Sequence, residues 1–577
     1  MGVMYHAHAR FLDARGSKIT VAAPVDADTP DAPWFYDWIS DHALDLASAG
    51  FTSILYPPVS KTQSGRFPTG DGYGVYDQYD LGSKNQCWSR ETRFGNREQL
   101  QRSVAVCKAC GLDVYVDVVM HQQSGGNNYQ YRYLGADGKT KNGRFPKDRG
   151  CFRGPRPQDP VPNKFFDFAF GDAFVFVNCD PPRYTINGMI EYSDWLTRTL
   201  DLDGYRFDNT KGTAVSFARE WCTSKAMANK FVVGEYFEGN PDTLWWWCND
   251  SGMQGRASTY DFTVHWAIKG MCDDPNFDMR RMQQNGYFAR DPYRAVTFVD
   301  NVDTDLSGNQ MVSNNKLLGY AYILTNEGYP SVAHKDYATE KGCYGLKPWI
   351  DNLVWIHEHL ANGDTVNRYA DNKAIVYERV GQPGLLVGLT TEIWGDKKVT
   401  VQTNFGANVQ LHDYTGRHDD IWTDGSGKAT FWIPKNEYGK AQSYVCFSRQ
   451  WQGKANEVRG HATTQEFFGA ADLDIPAAAE GVYSKVTQIW IAKKKLVTLS
   501  LHLHEAYPNA AAKALVRVLD PDNEEAAICT FTSAPNTYRI NPERTGWHSL
   551  EIQLSGFGAA ATSKFELKVQ YTATQSL

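Results

Sequence analysis

Four short apolar runs, each closed by an acid, constrain this chain more than anything else in it. Residues 201–208 read DLDGYRFD, a strand-like run ending in Arg206 and Asp208, which two-residue spacing puts on one face. Residues 112–120 (LDVYVDVVM) carry Asp117, and residues 231–237 (FVVGEYF) carry Glu235. Residues 295–303 (AVTFVDNVD) carry Asp300 and Asp303. Runs of this kind suit parallel strands covered on both faces. Acids at or near their C-terminal ends suit a parallel barrel that gathers carboxylates at one mouth. A buried acid is costly unless used or paired, so four such endings point to a site.

The 577 residues leave room for one large domain and one or two smaller ones. A net charge of -7 without a dense Lys/Arg cluster argues against nucleic-acid binding. No stretch reaches the roughly 20 apolar residues of a membrane span. Residues 1–18 lack the apolar core of a secretory signal. A cytoplasmic location is therefore expected if the chain is complete, and secretion if a leader was removed. Eleven scattered cysteines suit reduced thiols better than a disulfide framework. Cys107 and Cys110 form a lone CxxC on an apparent helix, and buried helix positions explain them. Aromatic content of 13% fits either a large core or a surface on which sugar rings stack. Packing is the simpler reading of Trp245, Trp246 and Trp247.

Along the chain, residues 3–11 and 18–23 compete for the first strand. Residues 31–49 have helical spacing, with Asp31 placed to cap and Pro33 in the first turn. Residues 51–56 form a second strand, followed by a Gly-rich loop at 70–82. The 122–178 segment loses periodicity and is too long for an ordinary connection, so it reads as a subdomain inserted in the barrel. Helix and strand alternate again from residue 186 to about 361. The expected fold is α/β: a (β/α)8 TIM barrel over 1–370 with that insertion, followed by C-terminal antiparallel β-sandwich domains. Alternating strands with Gly, Asn and Asp turns place one sandwich at 371–449. A second, accessory one is expected at 460–577, with carbohydrate binding as its candidate role.

Cleaving an acetal needs a proton for the leaving oxygen and a carboxylate on the opposite face of the sugar. Arg206 would hold Asp208 ionised and aimed. Glu235, beside Gly234 and Tyr236-Phe237, is the better acid. GYRFD (204–208), VVGEYF (232–237), FVDNVD (298–303) and DVVMHQ (117–122) together resemble the four strand-end motifs of the α-amylase family, in that family's order. The GYGVYDQYDLG loop (72–82), LHDYTG (411–416) and WIPKN (432–436) extend the resemblance over roughly residues 1–448.

The resemblance implies retaining hydrolysis of α-glucosidic bonds, most simply α-1,4, in oligo- or polysaccharides. It implies Asp208 as nucleophile, Glu235 as general acid/base and Asp303 as stabilising acid. Tyr73 matches a tyrosine that stacks under the sugar, and Asp117, Gln122, Arg206, Lys211, Asn301 and Val302 fall at substrate-binding positions. The chain departs from the family's pattern at several of them. His121-Gln122 stands for Asn-His, Asn301-Val302-Asp303 for Asn-His-Asp, and Lys211-Gly212 for Lys-His. His121 and Asn178 replace expected calcium ligands, so neither a metal nor a cofactor is carried over. The alternatives are a transglycosylase on α-glucans and a non-catalytic carbohydrate-binding protein. Three acids at one point disfavour the binder.

Overall fold

The computed structural model describes residues 2–8, 34–67, 71–125, 130–148, 151–152, 165–167, 183–283, 285–306, 308–340, 342–437, 443–450, 461–470 and 475–573. Eight parallel strands close into a barrel. They are β1 Met4–His6, β2 Ser53–Tyr56, β3 Asp113–Val118, β4 Gly204–Phe207, β5 Phe231–Gly234, β6 Ser258–Tyr260, β7 Ala295–Phe298 and β8 Tyr329–Ala333. Each pairs with its neighbour in chain order, and β1 closes on β8, so the sheet has no open edge. Met4, Leu55, Tyr115, Val233, Tyr260, Val296 and Phe298 belong to one small buried cluster that fills the barrel's interior. The larger core lies between strands and helices.

The helices longer than one turn are, among the described residues, α1 Phe35–Ala49, α2 Arg97–Ala109, α3 Tyr184–Leu200, α4 Val215–Thr223, α5 Pro241–Cys248, α6 Phe262–Asp273, α7 Lys316–Thr325 and α8 Lys347–His359. Local chemistry sets their ends. Asn96 and Gln99 cap each other's backbone at the start of α2, satisfying two donors that a helix terminus leaves open. Gly50 ends α1 at φ 107°, a conformation that costs other residues. Residues 18–23, Asp31, Pro33 and Asn178 lie outside the described residues. Cys107 and Cys110 are buried on α2, in agreement with the packing reading. Of the tryptophan triplet, Trp247 is buried, Trp245 lies under the Arg290 guanidinium at 4.4 Å, and Trp246 is exposed.

After β3 the chain leaves the barrel, and Gln122–Ser124 pairs antiparallel with Phe165–Asp167. Beyond α8, among the described residues, every strand pairing is antiparallel except one isolated bridge, first in a six-stranded sheet spanning Thr365–Ala370 to Tyr444–Arg449. Two four-stranded sheets follow, built from strands between Thr463–Gly469 and Phe565–Tyr571. Strict alternation of buried and exposed residues along Lys428–Ile433 is what a sheet with one wet face requires. The last sheets dock on the barrel's helices. Arg102 of α2 stacks on Trp490 at 4.2 Å, and Arg198 of α3 pairs with Glu466 and Glu566. Among the described residues no helix is long and apolar enough to cross a membrane.

Candidate active site

Strand register brings the acids together. Asp117 on β3 sits opposite Arg206 on β4, and Phe207 sits opposite Gly234 on β5, so Glu235 emerges one residue beyond that strand. Alternation sends Tyr205 and Phe207 outward onto Trp221, with ring centroids at 5.0 and 5.4 Å. Trp221 is buried and donates Nε1–H to Ser193 Oγ at 2.7 Å. Arg206 and Asp208 are left facing inward. Gly234 is required by close approach, because a Cβ there would lie 2.2 Å from the Trp247 ring.

Arg206 is the hub. Its Nη1 donates to Asp117 Oδ2 and, at 3.0 Å, to Asp208 Oδ1. Its Nη2 is 2.9 Å from Glu235 Oε2 and 3.9 Å from Asp303 Oδ2. The carboxyls of Asp208 and Glu235 lie within hydrogen-bond reach of each other, as do those of Glu235 and Asp303. Arg206, Asp117, Asp208 and Glu235 are buried, whereas the Asp303 side chain is 48% exposed. The backbone N–H of Asn209 donates to Glu235 Oε2 at 3.0 Å, fixing that carboxyl from a second side. The centre of the acid cluster is held by the Arg206 guanidinium.

Four carboxyls around one cation cannot all be ionised cheaply. Burial pushes Asp208 up to about 7; Arg206 pulls it down, and Asp117 and Asp303 push it up. Arg206 favours the ionised form of Asp208, while desolvation and like charge oppose it. Asp117 is pushed up to about 6, again chiefly by burial. Glu235 is also raised, first by burial and then by Asp208. Its surroundings are polar, contrary to the apolar setting inferred from its flanking residues.

The remaining predicted residues fall into two groups. Tyr73 is at the centre: its hydroxyl donates to Asp117 Oδ2 at 2.8 Å and accepts from Arg206 Nη1 at 3.3 Å. Gln122 borders it, with Nε2 3.5 Å from the Tyr73 carbonyl and Oε1 3.1 Å from His121 Nδ1. Asn301 is buried and shapes the turn, its Oδ1 accepting from the N–H groups of Asp303 and Thr304. Val302 is buried beside it. Lys211 bonds the Phe237 carbonyl and Glu238. Asp300 is also removed from the cluster, paired with Lys316 and bonded by Thr304 Oγ1.

Two residues escaped the sequence reading. His8 stacks on Tyr73, with centroids 6.1 Å apart and planes 13° from parallel. His6, at the end of β1, is kept neutral by burial and the Arg206 charge, which push it down to about 3. Both line a small cavity with Asn301 and Val302. The signal was present as two histidines with strand spacing, but it fell in the stretch where two candidates competed for the first strand.

No family model matches the chain. It is 27% identical over 494 residues to the α-amylase of Geobacillus stearothermophilus, covering 73% of this chain and 88% of that one. It is 28% identical over 478 residues to the glucan 1,4-alpha-maltohexaosidase of Bacillus sp. (strain 707), covering 69% and 89%. The crystal structure of γ-CGTase from alkalophilic Bacillus clarkii superimposes with a TM-score of 0.58 at 14% identity, covering 98% of this chain and 95% of that one. The last likeness concerns fold alone. Sequence similarity across more than two thirds of the chain, on an eight-stranded parallel barrel followed by antiparallel sheets, places this protein in the α-amylase family of glycoside hydrolases.

Proposed function

We propose that the protein hydrolyses α-1,4-glucosidic bonds in oligo- or polysaccharides with retention of configuration. The observation that carries this is the convergence of Asp117, Asp208, Glu235 and Asp303 on one guanidinium at the C-terminal mouth of the barrel. Glu235, raised by burial, gives its proton to the departing glycosidic oxygen. Asp208, stripped of its proton, attacks the anomeric carbon and forms a glycosyl-enzyme. Glu235 then takes a proton from water, the water attacks the same carbon, and the Asp208 carboxylate leaves. Asp303, the most exposed of the three, faces solvent where the sugar enters and stabilises the charged transition state. Tyr73 is braced by Asp117 and Arg206 to lie against the sugar ring.

The test is the product's anomeric form, followed by NMR during the first turnovers on maltooligosaccharides. Retention gives the α-anomer first; initial β-product overturns the mechanism. Asp208→Asn should lower kcat at least about a thousandfold with the fold intact.

A further inference from the structure

Outside the acid cluster, β8 runs into a one-turn helix, His334–Tyr337, and a loop that reaches Cys343. There His334, Glu340 and Cys343 each present a ligand atom, all within 4.8 Å of one another. Among the described residues this is the only such group of three. His334 is 1% exposed, and its Nε2 is sealed from solvent without a hydrogen bond. Oε2 of Glu340 is likewise sealed and unbonded. Leaving buried polar atoms unmet is costly, and one bound cation would satisfy both.

The supporting groups are of the kind that orient metal ligands. Tyr5 of β1 bonds His334 Nδ1 through its hydroxyl, and Trp38 of α1 donates Nε1–H to Glu340 Oε1 at 3.2 Å. The Trp38 ring meets His334 edge-on at 4.8 Å, which locks the imidazole plane.

We propose that His334, Glu340 and Cys343 bind one zinc-class divalent cation, which ties the loop ending at Cys343 back to the one-turn helix that follows β8. One imidazole, one carboxylate and one thiolate select a borderline-soft ion over calcium or magnesium. Bond lengths of about 2.0–2.3 Å in a tetrahedron hold ligand atoms about 3.3–3.8 Å apart, so a contraction of about an ångström completes the site. Water takes the fourth position. Cation binding sends the Cys343 thiol proton to solvent, because the thiolate is the ligand.

The full-length protein, stripped with chelator and desalted, is titrated with Co(II). The expected result is saturation at one equivalent, with tetrahedral d–d bands and a thiolate-to-cobalt charge-transfer band that Zn(II) displaces. Cys343→Ser should abolish the charge-transfer band, whereas Cys87→Ser, at another half-buried thiol, should keep it. Glu340→Gln should weaken binding about tenfold or more without changing the fold. Absence of a saturable charge-transfer band in the wild type overturns the proposal. So does a band that survives Cys343→Ser.

Discussion

The imidazole of His121 occupies the space beside Gly212: a Cβ on that glycine would sit 2.6 Å from His121 Nε2. The two departures from the family's motifs at these positions are therefore one steric exchange. His121 also lies 3.4 Å from Asn209 Nδ2, and Asn209 holds Glu235 through its backbone N–H. Gly212→His alone should push His121 into Asn209, costing roughly 1–3 kcal/mol of stability and lowering kcat. Adding His121→Asn should recover most of both, with a coupling of about 1 kcal/mol or more in a four-protein denaturation cycle. If the single variant is as stable as wild type, the two positions do not compete.

Val302 poses the opposite case, a missing histidine with no room for its return. It is 3% exposed and shares with His6, His8 and Asn301 a cavity of about 10 Å³, enough for about one water. Val302→His should displace His8 from Tyr73 and lower kcat/KM on maltooligosaccharides about tenfold or more. His8→Ala in the same chain should return part of the loss by opening that space. A rise in activity for Val302→His alone would show that the imidazole is accommodated after all.

Lys147 predicts a pH-dependent stability. It is fully buried, with Nζ donating to Gln78 Oε1 at 2.9 Å, Tyr133 OH at 3.0 Å and the Phe145 carbonyl at 3.1 Å. Burial pushes it down to about 7, against attraction from Asp77. An unfolded lysine keeps its proton to about pH 10.4, so between those values the unfolded chain binds more protons and stability rises with pH. The Tm of wild type should climb relative to Lys147→Met between about pH 7 and pH 9. Parallel curves for the two proteins would remove Lys147 as the source.

The barrel was legible because its strands are apolar runs that end in acids, a local pattern. The helix at Phe35–Ala49 was legible from its spacing, whereas the start of α2 is set by the reciprocal cap of Asn96 and Gln99, which was not singled out. What stayed hidden depends on register and distance along the chain. Arg206 was read as a partner of Asp208 alone, because its contacts with Asp117, Glu235 and Asp303 need the ends of β3, β4, β5 and β7 gathered at one barrel mouth. Asp300 and Asp303 share one run, yet Lys316, brought in by α7, takes Asp300 out of the site. The His121–Gly212 exchange read as two separate anomalies for the same reason. Glu235's flanking aromatics suggested an apolar setting, but its surroundings come from other strands.

The acid cluster makes the last prediction, and its sign distinguishes it from general damage. Asp208 is pushed up to about 7 by burial, with Arg206 opposing and Asp117 and Asp303 assisting. The nucleophile must be ionised, so kcat/KM should rise as pH climbs through that value and fall below it. Asp117→Asn removes a negative charge beside Asp208 and releases Arg206 Nη1 from its strongest competing partner. Both effects lower the Asp208 pKa, so the acid limb should move about one unit or more toward lower pH. The plateau should fall as well, because Tyr73 loses the acceptor that braces its hydroxyl. Simple disruption would lower the plateau and leave the limb in place. A limb that stays put, or moves to higher pH, would mean that Asp208 does not govern it or that Asp117 does not act through charge.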